Sequence, residues 1–157
     1  MSEPYIEILA GETLVRRPPG PRHEVVCARL FEVVFACVAN LPAVRLLPPR
    51  TVVELAPGTL VRPDLTLITA ATGKAWLAAE VIDSVDHSAD TVMKKSIYEE
   101  FRMPRVWMVD PRYDNVEVYH STAYGLSLKH ILAHRDLLTE KLLPDLSVAM
   151  GQLFGAA

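Results

Sequence analysis

Two acidic side chains lie in or beside apolar segments in the middle of the chain. Asp64 precedes the run "LTLIT", and Glu80 interrupts the run "AWLAAEVI". An ionised carboxylate is costly to bury unless it is paired or bound to a metal. The turn-like stretch "AATGK" separates the two runs and predicts an antiparallel hairpin. This hairpin would bring both carboxylates together.

The register of the hairpin follows from its turn. The residue numbers of Asp64 and Glu80 sum to 144, which centres the hairpin on residue 72, inside the predicted turn. Side chains paired in this way share one face, with Cβ atoms about 4.5–5.5 Å apart. Like charges this close repel, and a hard cation such as Mg²⁺ held by one or two carboxylates would remove the conflict. The alternative is that Asp64 caps a strand start and Glu80 turns to solvent.

A helix predicted over residues 88–102 supplies polar side chains that could reach this site. Asp90, Lys94 and Tyr98 recur every four residues and therefore form one stripe. Lys94 would provide positive charge for a developing anion, or orient an attacking water, in phosphodiester hydrolysis. Taken alone, Lys94 could instead be a solvated lysine paired with Asp90, and Tyr98 could be ordinary packing with its hydroxyl at the rim.

The whole chain is consistent with one domain over residues 1–157. It has 50% hydrophobic and 22% charged residues, and no run approaches the length of a membrane span. The first residues lack the pattern of a secretory signal, so we expect a cytoplasmic location. The net charge of −3 lacks the basic balance of many nucleic-acid binders. A carboxylate metal site lowers net charge, so DNA stays a candidate substrate.

The remaining pattern predicts an α/β or α+β sheet domain. "YIEIL" and "TLVRR" read as a hairpin, and a long helix follows from Arg22 to Leu41. That helix is apolar on nearly every side, which indicates burial against a sheet and a second surface. A partner subunit could provide the second surface, so a homodimer through this helix is one expectation. Short β-rich runs surround the two helices.

Taken together, these segments resemble the Uma-type restriction endonuclease family, a branch of the PD-(D/E)xK nuclease superfamily. The resemblance rests on "RPDLTLI", "LAAEVID", the Asp90–Lys94–Tyr98 stripe and "MPRVWMVDP", in that order. "YIEILAGETLVRRPPGPRHEVV" and "LLPDLSVAMGQLF" extend it over nearly the whole chain. The resemblance implies a restriction-endonuclease-like fold, with a mixed β-sheet core flanked by helices and an N-terminal β-hairpin.

The family pattern also implies roles for individual residues. Asp64 matches the aspartate of the "PD" element and Glu80 the second acidic residue, so both would be metal ligands. Ile82 stands where the superfamily usually has lysine, and the following helix is thought to supply that lysine in the Uma-type branch. Lys94 takes this role, with Lys95 as a less favoured substitute.

Three positions depart from the family pattern. Asp83 stands where the family usually has serine, and could add an acidic group or disturb the loop. Arg102 and Arg105 replace a usual glycine and a usual glutamate.

The histidines offer weaker candidates. His23 opens the first helix with Glu24 beside it, where an accessory acid is common in the superfamily, although a capping role fits His23 equally well. His130 and His134 have the spacing of a helical zinc pair, but "LSLKHILAH" alternates like a strand and no third ligand is evident.

We therefore expect a metal-dependent endonuclease acting on DNA. Asp64 and Glu80 would hold Mg²⁺ or Mn²⁺, Lys94 would assist, and Asp90 and Tyr98 would orient Lys94. One alternative is a nuclease-fold module that binds or assembles without cleaving. A further alternative is a hydrolase of small phosphate esters that uses the same metal site.

Overall fold

A six-stranded mixed sheet forms the centre of the molecule. The computed structural model describes residues 3–83 and 87–155, and the side chains of residues 87–90 fall outside this description. The strand order is β10-β9-β8-β7-β6-β3. The strands are β3 (Val44–Leu46), β6 (Leu65–Thr69), β7 (Ala75–Val81), β8 (Arg105–Asp110), β9 (Asn115–Thr122) and β10 (Gly125–Leu132). Only β7 and β8 pair in parallel among these described strands, and helix α2 (His87–Glu100) lies between them in the chain.

Two smaller sheets and two further helices complete the described chain. The first sheet has the order β2-β1-β5-β4 and the second pairs β11 with β12. Their strands are β1 (Tyr5–Leu9), β2 (Glu12–Arg16), β4 (Val53–Ala56), β5 (Thr59–Val61), β11 (Leu137–Glu140) and β12 (Leu143–Ala149). The helices are α1 (Pro21–Val38) and α3 (Met150–Phe154). The N-terminal hairpin predicted from the sequence is confirmed by β1 and β2.

Hydrophobic cores cover both faces of the central sheet. Helices α1 and α3 and strand β12 pack on one face, with a core that includes Val26, Leu30, Val34, Leu67, Leu77, Trp107 and Leu153. Helix α2 and the β1-containing sheet contribute to the core on the other face, which includes Leu9, Val61, Ala78, Ile97, Tyr98 and Met108. This double coverage explains why β7 reads as an almost continuous apolar run.

Helix α1 begins at Pro21, one residue earlier than predicted, and ends at Val38 rather than Leu41. Proline is favoured in the first turn because its fixed φ suits the helix and its missing N–H would have no helical partner there. The predicted burial of α1 against a sheet is confirmed for one face, and the expected second covering surface stays a prediction. Val25 and Phe35 are exposed, at 44% and 60%.

The central hairpin has the register that the sequence predicts near the site. Leu65 faces Ala79, and Thr66 faces Ala78, so each pair has the index sum of 144. An irregularity shifts the register beyond Leu67, at the turn end of the hairpin. The site end therefore keeps the predicted register up to the residues that adjoin Asp64 and Glu80, and both of these line one pocket.

Some elements differ from the sequence expectation. The short strands β5 and β11 were not predicted, because each has only three or four residues and pairs with a partner that the local pattern does not identify. His130 lies in strand β10, so the helical zinc pair is excluded. Within the described residues, no helix is both long and apolar enough to cross a membrane.

Candidate active site

One pocket collects most of the predicted site residues. Asp64, Glu80, Lys94 and His23 all line a cavity of about 370 Å³ beside the start of strand β6 and the end of strand β7. Segments from the β1–β2 hairpin, the start of α1 and helix α2 enclose it. The alternative in which Glu80 simply turns to solvent is wrong, because only 15% of its side chain is exposed.

Asp64 is buried at the junction of the central hairpin and α1. Its Oδ2 accepts a hydrogen bond of 2.8 Å from the backbone N–H of Val81. His23 Nε2 lies 3.3 Å from the same oxygen, and Arg50 Nε lies 3.4 Å from Oδ1. Burial alone would raise the pKa of Asp64, but the hydrogen bond and charge of His23, the Val81 N–H and Arg50 together lower it. Asp64 is therefore ionised at neutral pH.

His23 reaches Asp64 because it belongs to the buried stripe of α1. It lies three residues before Val26, the next buried residue of that stripe. Burial favours the neutral ring, but hydrogen bonding and charge from Asp64 raise the pKa of His23 above its usual value. Glu24 contacts both His23 Nδ1, at 3.1 Å, and Arg50. The predicted accessory residues His23 and Glu24 therefore join Arg50 in a network beside the Asp64 carboxylate.

Glu80 faces α2 instead of α1. Its neighbour Ala78, two residues earlier on the same face of β7, belongs to the core beneath α2. The Tyr98 hydroxyl donates a short hydrogen bond to Glu80 Oε2, and Lys94 Nζ lies 3.2 Å from that oxygen. Tyr98 is fully buried, so the expectation of a hydroxyl at a solvent rim is wrong.

Glu80 has an unusual protonation equilibrium. Burial raises its pKa to about 8, against the opposing charge of Lys94 and with help from the negative charges of Glu7 and Asp64. Without a bound metal ion, this carboxyl group therefore holds its proton at neutral pH. A divalent cation in the pocket would favour the ionised form.

Lys94 is held by a third carboxylate that sequence reasoning missed. Glu7 of strand β1 is buried, and its Oε2 lies 2.5 Å from Lys94 Nζ and 2.6 Å from the backbone nitrogen of Arg62. Arg16 Nε donates to the other oxygen of Glu7 at 2.8 Å. Burial opposes ionisation, but Lys94, Arg62 and Arg16 lower the pKa of Glu7. Lys94 is therefore a buried, anchored cation and not a solvated surface lysine.

The donor set fits a divalent cation. Asp64 Oδ1 is buried, accepts no hydrogen bond from the described residues and has Arg50 Nε at 3.4 Å, so this oxygen can still bind a cation. The Glu80 carboxyl group lines the same pocket. Mg²⁺ and Mn²⁺ prefer such oxygen ligands and keep several waters. His23, Cys27 and Asp64 form a second set of ligating atoms, which all lie within 4.8 Å of one another.

Some predicted residues lie elsewhere or cannot be placed. The side chain of Asp90 lies outside the described residues. Lys95, the substitute for Lys94, points to another cluster, where its Nζ lies 3.4 Å from the Tyr119 hydroxyl. The structure therefore brings Lys94, and not Lys95, to the pocket.

Arg50 was also missed, and for a different reason than Glu7. Glu7 stands inside the apolar run "YIEIL" and shares a strand face with buried Leu9. A carboxylate inside an apolar run is the same signal that identified Glu80, so Glu7 was detectable from the sequence. Arg50 has a positive φ of 58° in a proline-rich connection. Its sequence context carries no comparable signal.

The departures from the family pattern have structural explanations. Asp83 Oδ2 accepts a hydrogen bond of 2.9 Å from the backbone N–H of Gly20, the N-cap of α1, and places negative charge there. Arg105 Nε donates to buried Glu140 at 2.7 Å. Arg102 adopts φ of 54°, which is the conformation that favours glycine. None of these changes removes a carboxylate or amine from the pocket among the described residues.

The sequence and the fold are similar to those of known proteins. The Uma2 family model, described as "Putative restriction endonuclease", matches residues 2–151. A crystal structure of a putative nuclease belonging to DUF820 from Anabaena variabilis ATCC 29413 superposes with a TM-score of 0.81 at 14% sequence identity. The match covers 98% of this chain and 91% of that chain. The fold is thus the restriction-endonuclease-like mixed sheet expected from the sequence.

Other comparisons add little. The cryoEM structure of a DrdV–DNA complex is similar at a TM-score of 0.41 and 17% identity, over 69% of this chain and 12% of that chain. This similarity is too low to support an argument. The comparison with curated proteins gave no significant match.

Proposed function

Because this chain belongs to the Uma2 family of putative restriction endonucleases, we propose that it is a metal-dependent nuclease that hydrolyses phosphodiester bonds of DNA. The observation that carries the proposal is the meeting of Asp64, Glu80 and Lys94 in one pocket. Two carboxylates can hold a divalent cation, and this cation and the lysine can stabilise the negative charge that develops on oxygen during phosphodiester hydrolysis.

The two carboxylates have complementary roles in this proposal. Asp64 is ionised in advance by His23 and Arg50, so it offers a fixed negative charge. Glu80 must lose its proton when a cation binds, because its pKa is about 8. A bound Mg²⁺ or Mn²⁺ would supply a Lewis acid for a phosphate oxygen and a water of lowered pKa.

Lys94 is proposed to place a positive charge beside the reacting phosphate. Glu7 holds its ammonium group at 2.5 Å, which fixes the direction of the side chain. A cation held in place before the reaction stabilises developing negative charge without a reorganisation cost. Glu7 and Tyr98 are positioning residues in this scheme, since one anchors Lys94 and the other donates to Glu80.

The pocket rim supports an extended anionic substrate. Arg16 and Arg17 line the cavity on the side of strand β2. Arginine binds phosphate well because its planar group donates several hydrogen bonds in a fixed geometry. DNA supplies phosphates on both sides of the scissile bond, so it fits this rim better than a small phosphate ester does.

Cleavage of supercoiled and linear DNA with Mg²⁺ or Mn²⁺ tests the proposal. We compare the wild type with Asp64→Asn, Glu80→Gln and Lys94→Met, and use Glu117→Gln as the control. Glu117 also accepts a hydrogen bond from a tyrosine, at 2.9 Å from Tyr119, but does not line the pocket.

We expect metal-dependent cleavage by the wild type and by Glu117→Gln, and a loss of at least about a hundredfold in each pocket variant. Cleavage that persists in Asp64→Asn or Glu80→Gln would contradict the assignment of the site. Metal binding without any cleavage of DNA would instead favour the small phosphate ester as substrate.

A further inference from the structure

A compact set of three different ligating groups lies at the α1 side of the pocket. His23 and Cys27 are four residues apart on α1 and so lie on one face of the helix. Together with Asp64 they offer one nitrogen, one sulfur and one oxygen, all within 4.8 Å of one another. Glu80 is not a member of this cluster.

The spacing of these atoms matches a tetrahedral ion. His23 Nε2 lies 3.3 Å from Asp64 Oδ2 and 3.8 Å from Cys27 Sγ. Around an ion with bonds of about 2.0 Å to nitrogen and oxygen and about 2.3 Å to sulfur, tetrahedral ligand atoms are about 3.3 and 3.5 Å apart. His23 Nε2 therefore already lies within about 0.3 Å of the tetrahedral distance from both partners. The ligand atoms of Cys27 and Asp64 lie within 4.8 Å of each other, so Cys27 must move toward Asp64 to complete three corners, with water at the fourth.

The chemistry of the cluster differs from that of the Asp64–Glu80 pair. Thiolate and imidazole ligands favour Zn²⁺ and similar ions, whereas Mg²⁺ prefers oxygen alone. Cys27 and Asp64 would contribute two negative charges, which balance the ion. Asp64 is 6% exposed, and its Oδ1 accepts no hydrogen bond from residues 3–83 and 87–155. This oxygen lies 3.4 Å from Arg50 Nε without a hydrogen bond, so Asp64 can offer an ion Oδ1 as well as Oδ2.

We propose that His23, Cys27 and Asp64 form a Zn²⁺ site that withdraws Asp64 from the Mg²⁺ pair and thereby inhibits the nuclease. The inhibitory part rests on the proposed function, whereas the binding part does not. On binding, a Zn–S bond forms and the Cys27 thiol proton leaves to solvent. The proton between His23 Nε2 and Asp64 also leaves to solvent, and the ring keeps a proton on Nδ1, which faces Glu24, so the Nε2 lone pair binds the ion.

Co²⁺ provides a direct probe, because a cobalt–thiolate bond gives a near-ultraviolet charge-transfer band. We titrate Co²⁺ into the reduced full chain and then displace it with Zn²⁺. Cys27→Ala removes the proposed ligand, and Cys37→Ala is the matched control because Cys37 is buried in the core beyond the site. Circular dichroism verifies folding, and Cys27→Ser replaces Cys27→Ala if the alanine variant does not fold.

The expected result is a charge-transfer band in the wild type and Cys37→Ala that Zn²⁺ abolishes, and no band in Cys27→Ala. Removal of this ligand should weaken Zn²⁺ binding by more than about a hundredfold, the upper range for loss of an outer partner alone. A band that persists without Cys27, or its absence from the folded wild type, would overturn the site.

Inhibition is measured separately. Low concentrations of Zn²⁺ should suppress Mg²⁺-dependent cleavage by the wild type and Cys37→Ala, but not by Cys27→Ala. Equal suppression of all three would overturn the inhibitory role while the cobalt result decides the binding site. If the protein cleaves no DNA at all, the proposed function and the inhibitory role fail, whereas the spectroscopic result still stands.

Discussion

Replacement of Glu80 by glutamine should stabilise the metal-free protein, and more so as pH rises. Glutamine keeps an oxygen that can accept from Tyr98 and Lys94, but it carries no titratable proton. The wild-type carboxyl group has a pKa of about 8 in the folded protein, against the ordinary value of 4.5 that applies in the unfolded protein. The folded state therefore binds more protons between these values, and wild-type stability falls as pH rises through that range.

The size of the effect follows from linkage. At 1.36 kcal/mol for each pKa unit, a rise from 4.5 to about 8 corresponds to about 5 kcal/mol once pH exceeds 8. Most of this difference develops between about pH 5 and pH 8. Because 15% of the Glu80 side chain is exposed, water can enter and reduce the cost. We expect Glu80→Gln to gain about 2–4 kcal/mol relative to the wild type between these pH values.

Urea unfolding in the presence of a chelator measures this difference at pH 5, 6, 7 and 8. Glu117→Gln controls for the loss of a tyrosine–glutamate contact outside the pocket. The reasoning would be refuted if wild type and Glu80→Gln lost stability in parallel as pH rises. A confirmed gain would mean that the site residue is kept at the expense of stability.

Three further changes should alter stability in urea unfolding. Lys94→Met leaves Glu7 buried without its closest cation and should cost about 2–4 kcal/mol at pH 7, and an unchanged midpoint would show that this ion pair adds nothing. Arg102→Gly relieves a positive φ and should raise the free energy of unfolding by about 0.5–1 kcal/mol, whereas Arg102→Ala should not. Equal stabilities of the two variants would argue against strain at this residue. Asp83→Ala removes the acceptor for the Gly20 N–H and should lower the free energy of unfolding by about 1 kcal/mol. Asp83→Ser should recover part of this loss, and a variant with serine that is less stable than the one with alanine would contradict the capping role.

The sequence predicted the parts of the site that depend on local geometry. A hairpin turn determines which residues face one another, so the register of Leu65 with Ala79 and of Thr66 with Ala78 followed from residue numbers alone. Helical periodicity placed Lys94 and Tyr98 on one stripe, and both reach Glu80. Their roles in catalysis stay predictions until activity is measured.

The parts that sequence reasoning missed depend on contacts between distant segments. Glu7 reaches Lys94 because strand β1 pairs with β5, a strand too short to predict. Arg50 approaches Asp64 from a connection with no regular pattern. Loop geometry of this kind follows from packing around it and not from local propensity. The same limit applies to the expected homodimer through α1, because the exposed side chain of Phe35 does not identify the surface that it would contact.

Anomalous diffraction from crystals soaked in Mn²⁺ would test the central claim most directly. The account predicts one strong manganese peak, bound by carboxylate oxygens of both Asp64 and Glu80 at about 2.1 Å. The Glu80→Gln crystal should lose this peak or show it greatly weakened. A manganese ion held by Asp64 without Glu80, or no ion in the pocket, would contradict the claim that these two carboxylates form the metal site.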